Sequence, residues 1–83
     1  MYLTYLEEAK RVFGQHILRG LLNFERGDST KWDIVYHQLM MMSLEERREW
    51  LNNLQTQGLL IINDYNSVIF LQLTDSGRVY AES

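Results

Sequence analysis

The stretch Leu51-Asn52-Asn53-Leu54-Gln55-Thr56-Gln57-Gly58-Leu59-Leu60 narrows the possible folds more than any other part of the chain. Leu51 and Leu54 are three apart and share one helical face, a glycine follows, and an apolar run begins at once. Gly58 can adopt the left-handed conformation that closes a helix without a Cβ penalty. The stretch therefore predicts the end of a helix turned directly into a strand.

The rest of the chain falls into order around that joint. Thr4 and Glu7 have capping-box spacing, and Leu6, Ala9, Phe13, Ile17, Leu21 and Phe24 then recur at threes and fours. Leu18 and Leu22 widen this apolar face. Gly14 and Gly20 each weaken such a helix by roughly 1 kcal/mol relative to alanine. One long helix, straight or lightly kinked, is expected to end near Arg26, with Gly27 at its C-terminal cap and Gly27-Asp28-Ser29 as a turn.

A second helix is expected from Ser29 or Thr30, either of which can cap, with Asp33 in its first turn. Trp32, Val35, Tyr36, Leu39 and Met40 form its apolar stripe. Three consecutive methionines, Met40 to Met42, cannot all face one side. Adaptable core packing is favoured for them over a methionine-rich contact surface. Ser43 and Glu46 make another capping box with almost no linker before it. The third helix, from Leu44 to about Gln57, is expected to bury Leu44, Trp50, Leu51 and Leu54. Its other faces carry Glu45, Glu46, Arg48, Glu49, Asn52, Asn53 and Gln55. Two helices so tightly joined, the second richly polar outside, predict a helix-turn-helix.

After Gly58 come two strand-like runs, Leu59–Ile62 and Val68–Leu73, with Asn63–Ser67 as the turn of a hairpin. Leu59 to Ile62 and Val68 to Leu71 are apolar at every position, whereas a ribbon with one wet face alternates. The second face needs a cover, from the first helix or from another molecule. Thr74 can cap a short final turn beginning at Asp75, which folds Val79 and Tyr80 back onto the body.

Composition limits what such a chain can do. Its 83 residues are 46% hydrophobic and 12% aromatic without a break, enough for a single domain over residues 1–83 and one core. The absence of cysteine excludes a disulfide framework, a thiolate metal site and a thiol nucleophile. No run is long and apolar enough for a membrane span, and Met1-Tyr2-Leu3-Thr4 lacks the regions of a signal peptide. A cytoplasmic protein is expected. His16 and His37 lack metal-ligand neighbours at helical spacing and are expected to be packed or surface side chains. The serines and threonines read as caps and turns, and the glycines do not form a phosphate loop. No catalytic constellation, cofactor or metal site is predicted.

The joint, the helix-turn-helix before it, the hairpin after it and a closing Leu73-Thr74-x-x-Gly77 together resemble the winged helix-turn-helix superfamily, with the MarR-like and PadR-like regulators as the similar branches. The resemblance covers about residues 15–80 and implies an α+β fold with a long N-terminal helix, two further helices, a β-hairpin wing and a short C-terminal turn. It further implies that residues 44–57 enter the DNA major groove and that Asn63–Ser67 reach the neighbouring backbone or minor groove. The groove-facing positions would be Glu45, Arg48, Glu49 and Asn52, with Arg47 nearby. Lys31, Arg47, Arg48, Asn52 and Arg78 are the candidate nucleic-acid contacts. A net charge of −3, Glu45 and Glu46 at the helix start and Asp64 in the wing oppose phosphate binding. Two functions are therefore carried forward. One is a DNA-binding regulator acting as a homodimer; the other is a winged-helix module for protein contact without nucleic acid.

Overall fold

The computed structural model describes the backbone of residues 2–66 and 68–83 and the side chains of residues 11–66 and 68–83. Helix α1 spans Tyr2–Glu25, α2 Thr30–Met40 and α3 Leu44–Thr56. Strands β1 (Leu60–Tyr65) and β2 (Val68–Leu73) follow, and α4 (Asp75–Glu82) closes the chain. This α+β order is compatible with a winged-helix-like layout.

Helix α1 is continuous through Gly14 and Gly20. Gly20 marks a close approach of helices, since a Cβ there would stand 3.2 Å from the Cα of Trp32 in α2. The helix is already running at Tyr2, ahead of the expected start at Thr4; the side chains of Thr4, Leu6, Glu7 and Ala9 lie outside the described residues. At its other end Gly27 takes φ +94°, and the Asp28 N–H donates to the Asn23 carbonyl at 2.8 Å, a Schellman closure. Gly58 does the same for α3 at φ +76°, with the Leu59 N–H on the Leu54 carbonyl at 3.0 Å. The helix-to-strand joint is as expected.

Capping differs in one place. Ser29 precedes α2 but its hydroxyl takes no cap hydrogen bond. The carboxylate of Asp28 instead accepts from the Thr30 N–H at 3.0 Å, which holds the Asp28 carboxyl below the usual aspartate range. At α3 the Ser43 hydroxyl accepts from the Glu46 N–H at 3.2 Å, the forward half of the predicted box. Thr74 caps α4 by accepting from the Gly77 N–H at 2.9 Å, and its hydroxyl donates to the Gly58 carbonyl at 2.6 Å. One side chain thus ties the helix-to-strand joint to the closing helix. That closing segment is a helix of eight residues, longer than the expected turn.

Ile17, Leu18 and Leu60 are the most deeply buried large side chains, surrounded by Leu21, Leu22, Val35, Leu39, Leu51, Leu54, Leu59, Leu73 and Ala81. Several expected core positions lie outside this cluster. Tyr36, Met40 and Leu44 are exposed, because α2 and α3 are each covered along one narrow stripe and the next apolar position falls past its edge; Phe24, in the last turn of α1, is exposed as well. Of the methionines, Met42 packs on the core while Met40 and Met41 are exposed. Tyr80 and Ala81 fold back onto the body, and Val79 stays exposed.

The hairpin pairs antiparallel with Leu60 opposite Leu73 and Tyr65 opposite Val68. The ladder thus runs through Asn63 and Asp64, which the sequence places in the turn. Their partners Phe70 and Ile69 belong to a strand of high β-propensity, and pairing overrides the local turn preference. The strands run to Tyr65 and from Val68; Asn66 takes φ +51°, a conformation asparagine tolerates, and Ser67 lies outside the described residues.

Candidate functional site

The five candidate contacts do not assemble into one surface. Arg47 is turned inward along α3: its Nε donates to the Leu39 carbonyl at 3.0 Å and its Nη2 to the Met42 carbonyl at 3.2 Å. The Leu39 carbonyl also accepts from the Met42 N–H at 3.2 Å, and Met42 lies in the turn just past α2, so Arg47 adds its donors across the α2–α3 connection. Arg47 is therefore the clamp of the helix-turn-helix, half-buried and engaged. Arg78, on α4, pairs with Glu25 at 3.2 Å and with Asp75 at 3.3 Å. Lys31 is exposed in the first turn of α2, about 14 Å along the helix axis from the turn that carries α3.

Arg48 and Asn52 are the two that do come together, one turn apart on the exposed side of α3. Among the described residues Glu45 and Arg48 do not pair, although their i, i+3 spacing on α3 would allow it. The solvent face of α3 then carries Glu45, Glu46 and Glu49 against one outward arginine. The acidic start suits the helix dipole, which explains it without reference to a ligand.

The hairpin is the second candidate, and its faces can be read from the register. Leu60, Ile62, Leu71 and Leu73 point to the core face. Ile61, Tyr65, Val68 and Phe70 share the opposite face and are exposed, Tyr65 at 64% and Phe70 at 55%. Tyr65 and Phe70 meet edge to face at 6.1 Å on that surface. The described side chains of helix α1, one of the two covers the sequence allowed, pack on the core and leave this face exposed. Residues 60–73 include one charged side chain, Asp64, and no lysine or arginine.

A third feature was not anticipated from the sequence. An open cleft of about 530 Å³ separates α1 from α3, lined by Arg11, Glu46, Glu49, Trp50, Asn53 and Tyr80 among others. Trp50 meets Phe13 of α1 edge-on at 4.8 Å, so the aromatic pair bridges the helices beside the cleft. Glu46 and Glu49 give its rim an acidic character. Their i, i+3 spacing was the available signal, but only the placement of α1 makes a cleft of it.

Both histidines are exposed, and no group of three metal-ligating side chains gathers among the described residues. Within the same set, no helix is long and apolar enough to cross a membrane. No family model, curated protein or solved structure matches the chain.

Proposed function

We propose that this chain is a winged-helix-like module for protein contact, and that its working surface is the outer face of the β-hairpin. The observation that carries this reading is the exposure of Ile61, Tyr65, Val68 and Phe70 on one uncharged face. With roughly half of each side chain exposed, the face presents on the order of 400 Å² of apolar surface, a size at which patches on single chains are functional. The test replaces Phe70 by glutamate. Phe70 lies outside the core, so the far-ultraviolet spectrum should hold while association, with itself or with another protein, is lost. If the unaltered chain stays monomeric and retains nothing that Phe70→Glu fails to retain, the reading fails.

A second reading is a DNA-binding regulator acting as a homodimer, and the outward pair Arg48 and Asn52 on α3 favours it. Binding to duplex DNA draws its affinity from phosphates neutralised by lysine and arginine, losing about 0.9 in log K per log salt for each. With Arg47 engaged across the α2–α3 turn and Arg78 ion-paired with Glu25 at the surface, few cations remain for that role. This reading predicts weak binding that falls steeply with salt and weakens further in Arg48→Ala. A titration against random duplex near 50 mM salt, where electrostatic affinity is greatest, tests it; no binding there sinks it. A winged helix can serve both uses, so surface chemistry decides, and the uncharged outer face of the hairpin outweighs the α3 pair.

A further inference from the structure

We propose that the hairpin's partner is a second copy of this chain, joined edge to edge along β2 about a two-fold axis at Phe70. This rests on the hairpin reading above and names its partner.

The hydrogen-bond alternation of the hairpin shows which edge is open. The Thr74 N–H donates to the Leu59 carbonyl at 3.3 Å, continuing the register one step below Leu60 and Leu73. In an antiparallel ladder hydrogen-bonded pairs alternate with non-bonded ones. Ile61–Gln72, Asn63–Phe70 and Tyr65–Val68 are then the bonded pairs. The backbone groups of Ile62 on β1, and of Ile69 and Leu71 on β2, accordingly point away from the hairpin. On β1 the fold uses such a group: the Ile62 N–H donates to Gln55 Oε1 at 2.8 Å. On β2, no described residue hydrogen-bonds the outward groups of Ile69 or Leu71. Val68-Ile69-Phe70-Leu71-Gln72-Leu73 also lacks the lysine, proline or charge that ordinarily blunts an edge strand.

This edge is complementary to itself. If Ile69 pairs with Leu71 of the second copy, the two-fold axis makes Leu71 pair with its Ile69, and about four backbone hydrogen bonds form. Phe70 then stands opposite its own copy, as a non-bonded pair with Cα atoms about 4.5 Å apart, with Tyr65 packed behind it. On the other face Ile69 meets Leu71. No charged group lies in β2, so a chain of net charge −3 sets no like charges opposite each other at the axis. The joint extends the two hairpins into one four-stranded sheet and leaves their outer faces open, so it is held by the backbone hydrogen bonds and by the Phe70, Ile69 and Leu71 contacts across the axis.

The chain has no cysteine, so an introduced one reads the register directly. Phe70→Cys should give a disulfide-linked dimer on mild oxidation. Val68→Cys, on the same face of the same strand, should not, because its copy lies about 13 Å away. Sedimentation of the unaltered chain should show dimer at micromolar concentration. Ile69→Pro, which removes an N–H outside the hairpin's own ladder, should raise the dissociation constant about tenfold or more with an unchanged far-ultraviolet spectrum. A monomeric chain, a dimer indifferent to Ile69→Pro, or Val68→Cys crosslinking as fast as Phe70→Cys would each overturn the pairing. If the chain is monomeric yet Phe70→Glu abolishes binding to a different protein, self-pairing falls and the hairpin reading stands. If neither mass nor binding responds to Phe70→Glu, both fall.

Discussion

A methyl group at Gly77 would sit 2.0 Å from the Leu59 carbonyl oxygen, a distance that no rotamer change relieves because the obstacle is backbone. Gly77→Ala must push α4 off the helix-to-strand joint and is expected to cost about 2–4 kcal/mol. Gly14 is the opposite case. A Cβ there meets the Leu54 Cδ2 at 3.4 Å, an ordinary contact, so Gly14→Ala should stabilise by up to about 1 kcal/mol through helix propensity. Urea denaturation of the two variants checks both signs. A second prediction at this scale concerns Asp28. Its lowered pKa means that the folded state favours the carboxylate, so the stabilisation is present above the ordinary aspartate pKa and is lost as pH falls through the folded value. Asp28→Asn should therefore lower the melting temperature near neutrality, with the gap closing in strong acid; a gap independent of pH contradicts the assignment. Of these residues, Gly27 and Gly58 were legible in the sequence, since a glycine after a periodic helix has a local meaning. The difference between Gly14 and Gly77 was not, because it depends on chain brought near by the fold.

At the scale of elements, the α2–α3 turn is held by an arginine that the DNA reading had assigned outward. Arg47→Ala removes donors from the Leu39 and Met42 carbonyls and should cost about 1–3 kcal/mol. Arg48→Ala, one residue on and exposed, should change stability by less than about 0.5 kcal/mol. Equal losses in a denaturant titration would contradict the clamp. The element order, the helix ends and the antiparallel hairpin could all be read from periodicity and caps. The direction of Arg47 could not, because Arg47 and Arg48 are equivalent as sequence and only the position of α2's last carbonyls separates them. The hairpin's true length escaped for a related reason: Asn63 and Asp64 are turn formers alone, and strand residues once Phe70 and Ile69 lie opposite.

For the whole molecule, the closing helix is latched to α1 by polar groups on the side away from the apolar stripe. Gln15 donates to the Ser83 carbonyl at 2.8 Å, and Arg19 to the Ala81 carbonyl at 2.8 Å and that of Ser83 at 2.9 Å. The ion pairs Arg26–Glu82 and Arg78–Glu25 flank this latch at the surface, where each is worth at most about 1 kcal/mol. Added salt should thus shift the melting temperature little. Arg19→Ala should speed amide exchange through α4 before it unfolds the rest, and uniform acceleration would contradict a local latch. The sequence exposed the problem of the hairpin's second face without its answer, since two apolar faces say that a cover is needed and not which. The most direct test of the hairpin as the working surface is amide exchange at Leu71 followed against protein concentration. The account predicts fast exchange when dilute and growing protection on concentration, with Ile62, held by Gln55, protected throughout. Fast exchange at Leu71 at every concentration, beside an unchanging monomeric mass, would contradict it.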